Sequence, residues 1–303
     1  MPSPILVNLD GELLRPAEAK ISVLDRGFLH GDSVYEVIRT YRGRPFELAA
    51  HLERLTHSAK RLALAPRWST DRVEVELYRT LRAVEGLPPP PPDPLAAPWN
   101  AGQWSIRVVM TRGAGEVGLD PALAVDPQAV LIVQPLAGPA ARAYAEGVKV
   151  ILASTPRPPP EAVDPTAKTG GRVGHVLAVR EARDAGAEEA LFLDAQGRVT
   201  EGCSSNVFAV RGGRLVTPSL AAGILAGVTR AVVLRLARQQ GVGVEETALR
   251  PGDLYSAEEV FITSTAREVL PVTRVDRTVI GAGIPGSLTR RLQESFRAAT
   301  ASL

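Results

Sequence analysis

Lys168 stands in Asp164-Pro165-Thr166-Ala167-Lys168-Thr169-Gly170-Gly171, and 33 positions later comes Glu201-Gly202-Cys203-Ser204-Ser205-Asn206. A lysine among small residues can hold an aldehyde as a Schiff base, given a depressed pKa and an accessible amine. A downstream carboxylate can keep a pyridine nitrogen protonated. Taken singly, each has an ordinary explanation: most lysines are solvated surface groups, and Glu201 follows Gly197-Arg198-Val199-Thr200, where an exposed glutamate beside a turn is common.

Three further clusters bear on the choice. Leu225-Ala226-Gly227-Val228-Thr229-Arg230 reads as a helix start. The N–H groups of Val228 and Thr229, the Thr229 hydroxyl and the positive helix end suit a phosphate, although N-capping by Thr229 explains the same residues. Ser264-Thr265-Ala266 follows the apolar run Glu259-Val260-Phe261-Ile262-Thr263, and small hydroxyl residues at a strand end serve either a ligand or a plain turn. Arg54, in His51-Leu52-Glu53-Arg54-Leu55, lies off the apolar stripe of its helix. Its fork can grip a phosphate or pair at the surface with a neighbour such as Glu47.

The elements that must position these groups alternate between strand and helix patterns. Residues 5–7, 21–23, 34–41 and 105–111 read as strands from their β-branched and aromatic content, and Leu48, Leu52, Leu55, Ala59 and Leu62 fall on one helical face. Beyond Gly147, Val148, Val150 and Leu152 alternate. A helix is predicted from Val173 to Ala185 with Gly186 as its stop, turns at Gln196-Gly197 and Gly212-Gly213, and a helix from Thr229 to Gln240 ending at Gly241. Pro135-Leu136-Ala137-Gly138-Pro139 is the candidate connection between domains. The pattern is α+β.

Composition narrows the partners. At 303 residues and 45% apolar content the chain can bury a full core as one large or two smaller domains. Basic residues exceed acidic ones by only two and are scattered, so neither nucleic acid nor an anionic membrane is indicated as a partner. Cys203 is the one cysteine and the four histidines are dispersed, so no metal site is expected. With no basic-flanked apolar leader at Met1-Pro2-Ser3-Pro4 and no run of about 18 apolar residues, a soluble cytoplasmic protein is expected. The run Pro88–Pro92 reads as an exposed loop or a docking site for a proline-reading domain.

In this order the motifs resemble the class IV, fold-type IV pyridoxal-phosphate aminotransferases. That family includes branched-chain, D-amino-acid and (R)-amine transaminases and aminodeoxychorismate lyase. The resemblance runs from about Leu24 to Phe296, through Asp25-Arg26-Gly27-Phe28-Leu29-His30-Gly31-Asp32, Val34-Tyr35-Glu36-Val37-Ile38-Arg39, His51-Leu52-Glu53-Arg54-Leu55, Lys168, Thr200-Glu201-Gly202-Cys203-Ser204-Ser205-Asn206-Val207-Phe208, Gly227-Val228-Thr229-Arg230 and Glu259-Val260-Phe261 through Pro271-Val272. It implies a smaller N-terminal α/β domain over 1–134, a connection over 135–144, and a larger C-terminal domain over 145–303 with a mixed, barrel-like sheet. It also implies a homodimer whose active sites are each completed by a loop of the neighbouring subunit.

The same resemblance implies the site roles. Lys168 carries pyridoxal 5'-phosphate and shuttles the substrate proton, and Glu201 faces the ring nitrogen. Arg54, Gly227, Val228, Thr229, Ser264 and Thr265 surround the phosphate, and Leu225 packs on the ring. Tyr35, Arg39, Arg107, Thr265 and Ala266 line the substrate side. The reaction implied is ping-pong transfer of an amino group from a small-molecule donor to a 2-keto acid. Branched-chain L-amino acids lead as donors, ahead of D-amino acids or (R)-amines, and then of lyase chemistry on aminodeoxychorismate. One departure stands out: branched-chain members usually read Lys-x-Gly-Gly-Asn-Tyr, and here Arg172 and Val173 replace the last pair. The residue that meets the cofactor's phenolic oxygen is therefore unassigned. D-Amino-acid members carry Arg-x-His after a Thr-Arg-Gly segment, and nothing of that kind follows Thr111-Arg112-Gly113.

Overall fold

The computed structural model describes residues 4–87 and 94–301, so the proline run Pro88–Pro92 falls outside them. The chain divides into two compact units, and neither is contiguous in sequence. The first comprises Met1–Pro94, Trp99–Ala137 and Ala167–Arg172; the second comprises Leu95–Pro98, Gly138–Thr166 and Val173–Leu303.

The first unit is built on a six-stranded antiparallel sheet. Its order across the sheet is Glu12–Leu14, Leu6–Leu9, Ala129–Pro135, Trp104–Thr111, Ser33–Tyr41 and Arg44–Pro45. Along Ser33–Tyr41 the side chains alternate, so Val34, Glu36 and Ile38 share one face, and Tyr35, Val37 and Arg39 share the other. Val34 and Ile38 pack into a core with Leu52, Leu55 and Ala59 of the helix Leu48–Arg61 and with Val73, Leu77, Leu81 and Val84 of the helix Thr70–Glu85. Glu36 is thereby aimed into that core, a point that matters for the site.

Several elements depart from the sequence expectations, the helix Ser287–Ala301 among them, and two are instructive. Residues 21–23 form no strand. Ile21 and Val23 are exposed, and β-branched content without a pairing strand does not make one. The helix Thr70–Glu85 was not foreseen, although its signals are plain. Ser69 caps it by accepting from the Arg72 N–H, and Val73, Leu77, Leu81 and Val84 step by four, four and three.

The segment Ala167–Arg172 belongs to the first unit because it pairs with the start of Ser33–Tyr41. Val34 and Thr169 form an antiparallel bridge, Tyr35 N–H donates to Lys168 O at 3.0 Å, and Gly170 N–H donates to Ser33 O at 2.8 Å. Gly170 is required by this approach, since a Cβ there would lie 2.2 Å from Ser33 Oγ.

The second, larger unit carries a nine-stranded mixed sheet. Its main path runs Val199–Gly202, Glu189–Leu193, Val148–Leu152, Glu268–Val275, Glu259–Ser264, Asn206–Arg211, Arg214–Thr217 and Val244–Glu246, with Thr278–Val279 paired to Glu268–Val275. The pairs made by Val148–Leu152 and the pair with Val244–Glu246 are parallel, and the rest antiparallel. The sheet curls into a half-barrel, as the α+β reading with a barrel-like core requires. Gly212 and Gly213, both at positive φ, close the hairpin at the two-residue turn expected there. The helices Val173–Asp184 and Val228–Gln239 lie where their periodicity placed them, with Gly186 and Gly241 past their ends at positive φ.

Candidate active site

In the first unit the lysine is held by its backbone, which leaves its side chain to act. Lys168 N–H donates to Ser58 Oγ at 3.0 Å, and that hydroxyl donates to Arg54 O at 2.8 Å. The Lys168 ammonium lies 4.7 Å from the centre of the Tyr35 ring. Burial, first of all, pushes the Lys168 amine below its ordinary value; Arg54 and Arg172 act in the same sense, and Tyr35 and Glu36 oppose them. A lysine so placed supplies a neutral, nucleophilic amine more readily than a solvated one.

Tyr35 gathers cations. Arg107, diagonally across on Trp104–Thr111, sits 4.8 Å from the ring centre, and Arg172 lies 5.9 Å away. Arg39, four residues further along the same face, is buried; it donates to Asn100 Oδ1 at 3.1 Å and lies 4.1 Å over Tyr41. Tyr35, Arg107 and Lys168 are thus one cluster, and Arg39 is tied to other partners.

Arg54, offered by the sequence as a phosphate-gripping or surface-paired arginine, is part-buried and turned to a strand. Its fork closes on Glu36, with Nε to Oε1 at 2.6 Å and Nη2 to Oε2 at 2.7 Å. His51, one helical turn earlier, reaches Glu36 Oε2 from Nδ1 at 2.8 Å. Burial by itself would raise the Glu36 pKa, but the hydrogen bonds and charges of Arg54 and His51 outweigh it and hold the carboxyl at about 2. Burial, with the charges of Arg54 and Lys168, also lowers the His51 pKa below 6.5 against the opposing pull of Glu36, so the neutral imidazole predominates at pH 7. An ionised carboxylate only accepts, so Nδ1 carries the imidazole proton.

In the second unit Glu201, next to last in the strand Val199–Gly202, has both oxygens engaged. Arg157 Nη2 donates to Oε1 at 2.7 Å, while Leu225 N–H at 2.9 Å and Asn206 Nδ2 at 3.3 Å donate to Oε2. Asn206 also donates to Leu225 O at 3.1 Å, so Leu225 is fixed to the glutamate at its N–H and tied to Asn206 at its carbonyl. Gly227 lies against the same asparagine, where a Cβ would come within 2.0 Å of Asn206 Oδ1. The helix Val228–Gln239 then starts with Gly227 as its N-cap residue and no side-chain cap. Thr229 is therefore the second residue of the helix, and N-capping does not account for it. Ser264, Thr265 and Ala266 occupy the end of Glu259–Ser264 and the tip of the hairpin it makes with Glu268–Val275.

Sequence reasoning missed Glu36, His51, Ser58, Arg157 and Asn206 as supporting groups. Glu36 had a usable signal: it shares strand parity with Val34 and Ile38, and a carboxylate on a core face requires charged partners. Arg157, in Pro156-Arg157-Pro158-Pro159-Pro160, had none, since a proline-broken loop has no periodicity to read.

The family model for class IV amino-transferases matches residues 33–275. A putative branched-chain-amino-acid aminotransferase of Methanocaldococcus jannaschii is 38% identical over 295 residues, which is 96% of this chain and 95% of that protein. The D-alanine aminotransferase of Bacillus licheniformis is 32% identical over 291 residues, covering 96% and 95% respectively. Among solved structures, the branched-chain amino acid aminotransferase of Escherichia coli superposes with a TM-score of 0.87 at 30% identity, covering 97% of this chain and 93% of that one. The chain belongs to the class IV aminotransferases.

Proposed function

We propose that this aminotransferase uses pyridoxal 5'-phosphate to move an amino group from a branched-chain L-amino acid to a 2-keto acid. The observation that carries the reading is Lys168: a half-buried lysine whose amine is held below its ordinary pKa, its backbone fixed on both sides, and its side chain beside Tyr35. The residues present fit the cofactor. The uncapped start of Val228–Gln239 suits a dianionic phosphate, and Glu201 is a buried carboxylate beside a buried Arg157 Nη1 that has no hydrogen-bond partner among the described residues.

When bound, pyridoxal phosphate supplies an electron sink for the pair released from the substrate Cα–H bond. Lys168 Nζ is the amine that would take the cofactor's aldehyde carbon, and it moves the proton to and from the substrate α-carbon. Glu201, kept in place by Arg157, Asn206 and Leu225, presents its negative charge to the ring nitrogen. Val228, Thr229, Ser264 and Thr265, with Gly227, would hold the phosphate, and Leu225 would contact the ring. Arg54, held by Glu36, is assigned to the phosphate as a nearby positive charge. Tyr35, Arg39 and Arg107 of the first unit and Ala266 of the second are assigned to the substrate, whose carboxylate Arg107 would attract.

The lack of an Arg-x-His pair after Thr111-Arg112-Gly113 favours the L-branched-chain assignment. We further assign a cytoplasmic homodimer. Val23, Phe28, Val117 and Leu119 in the first unit and Val173 and Val176 in the second are exposed apolar side chains of the kind a subunit interface covers. Sedimentation at micromolar concentration is expected to give twice the 32.2 kDa chain mass.

The substrate assignment is tested by offering the loaded enzyme L-leucine, D-alanine, (R)-1-phenylethylamine and aminodeoxychorismate separately. L-Leucine is expected to convert the cofactor to its amine form fastest. Faster conversion by D-alanine, or pyruvate release from aminodeoxychorismate without an acceptor, overturns it. Glu201→Gln is expected to slow the L-leucine half-reaction about tenfold or more while the cofactor still binds, because a loss of one pKa unit of ring-nitrogen stabilisation is a tenfold effect. An unaltered rate contradicts the role given to Glu201.

A further inference from the structure

In the second unit one arginine ties two separate turns together. Arg267 belongs to the hairpin tip that carries Thr265 and Ala266, and its N–H donates to Ser264 Oγ at 3.2 Å. Its guanidinium leaves the hairpin. Nη1 donates to Ser204 Oγ at 2.7 Å and to Glu189 Oε2 at 3.3 Å, and Nε donates to Glu188 Oε1 at 3.1 Å. Glu189, with its side chain 1% exposed, also accepts from Ser204 N–H at 3.2 Å, Ser204 Oγ at 2.8 Å and Ser205 Oγ at 3.1 Å.

The second turn is equally constrained. Gly202 N–H donates to Ser205 O at 2.7 Å, and a Cβ on Gly202 would lie 2.3 Å from Ser205 Oγ and 3.0 Å from Glu189 Cγ. This turn joins Glu201 to Asn206, which donates to the Glu201 carboxylate. The hairpin, for its part, closes on Glu268 at φ 56°, a left-handed conformation that costs a non-glycine residue about 1 kcal/mol or more and persists only where the surroundings hold it.

We infer that Arg267 and Glu189 are positioning residues, which lock the Thr265–Ala266 tip to the Gly202–Ser205 turn so that the phosphate-binding and ring-nitrogen-binding groups form one rigid cradle. The inference rests on the assignment of Thr265 to the cofactor phosphate and Glu201 to the ring nitrogen. Glu189 is a buried carboxylate whose charged partner is Arg267, so removing the guanidinium both releases the tip and leaves a buried charge held by neutral donors alone. A lysine would restore the charge without the fork that spans Ser204, Glu188 and Glu189.

The test compares the affinity of cofactor-free protein for pyridoxal phosphate with its affinity for pyridoxal, which lacks the phosphate. Arg267→Ala is expected to lower the ratio of the two affinities by about tenfold or more, because small misplacements of positioning groups cost factors of ten to a hundred. Arg267→Lys recovers part of the loss, and Ser204→Ala lowers the ratio by a smaller factor. A merely structural role would lower the melting temperature and leave the ratio unchanged, and that result overturns the inference. If Arg267→Ala does not fold, Ser204→Ala and Arg267→Lys decide in the same way. A parent protein with a ratio near one would instead refute the underlying phosphate assignment.

Discussion

Replacing Lys168 by alanine is expected to lower transamination by at least about a thousandfold, within the range that loss of a positioned proton-transfer group produces. The variant should still fold. The backbone at 168 stays fixed by Ser58 Oγ and Tyr35 N–H, neither of which involves the side chain. The sign of the linkage points the same way. The Lys168 amine titrates below its ordinary 10.5 in the folded chain, so the folded state binds fewer protons, and the buried amine costs stability at neutral pH that is recovered only as pH rises toward 10.5. Lys168→Ala is therefore expected to melt no lower than the parent, with activity and stability separated in one variant. Addition of a small amine such as methylamine should restore part of the rate by supplying the missing base. A Lys168→Ala protein that keeps more than about a tenth of parental activity would remove the lysine from the chemistry altogether.

Replacing Glu36 by glutamine is expected to destabilise the first unit by about 3 kcal/mol, the order found when one partner of a buried ion pair is removed. Glu36 is wholly buried between Arg54 and His51, so the substitution removes the carboxylate charge that Arg54 faces. The pH dependence follows from the same carboxyl, which titrates at about 2 in the fold against an ordinary 4.5. Its stabilisation is complete above about pH 4.5 and is lost as pH falls toward 2. His51 adds to the acid lability, because its folded pKa is lowered below 6.5 and it must take up a proton as the chain unfolds in acid. Urea titrations of parent and variant at pH 7 and pH 3 should show a large gap at the higher pH and a smaller one at the lower. Equal gaps at both would mean that the Glu36 charge is not what stabilises this arrangement. Because Glu36 holds Arg54, the surviving Glu36→Gln protein should also bind pyridoxal phosphate more weakly.

Much of this was legible in the chain before its structure was known, for identifiable reasons. The helix Leu48–Arg61 announced itself by its leucine stripe, and Gly212-Gly213 by the positive φ its turn needs. Lys168 and Glu201 stood out because the small residues that follow each leave space for a ligand. Residues 21–23 were misread because strand propensity describes a half-buried, paired surface, and Ile21 and Val23 have none. Arg54 was legible as a functional arginine but not as one clamped to Glu36, because that pairing joins a helix to a strand 18 residues earlier. The return of Ala167–Arg172 to the first unit was hidden for the same reason. It depends on a bridge between Val34 and Thr169 that no local pattern encodes.

The most direct test of the account follows the proton that Lys168 is said to move. Loaded parent enzyme, mixed with leucine deuterated at Cα and no keto acid, is expected to release deuterium to solvent from the L isomer and not from the D isomer, and Lys168→Ala is expected to release it from neither. Faster loss from D-leucine, or undiminished loss from L-leucine in Lys168→Ala, would contradict the account.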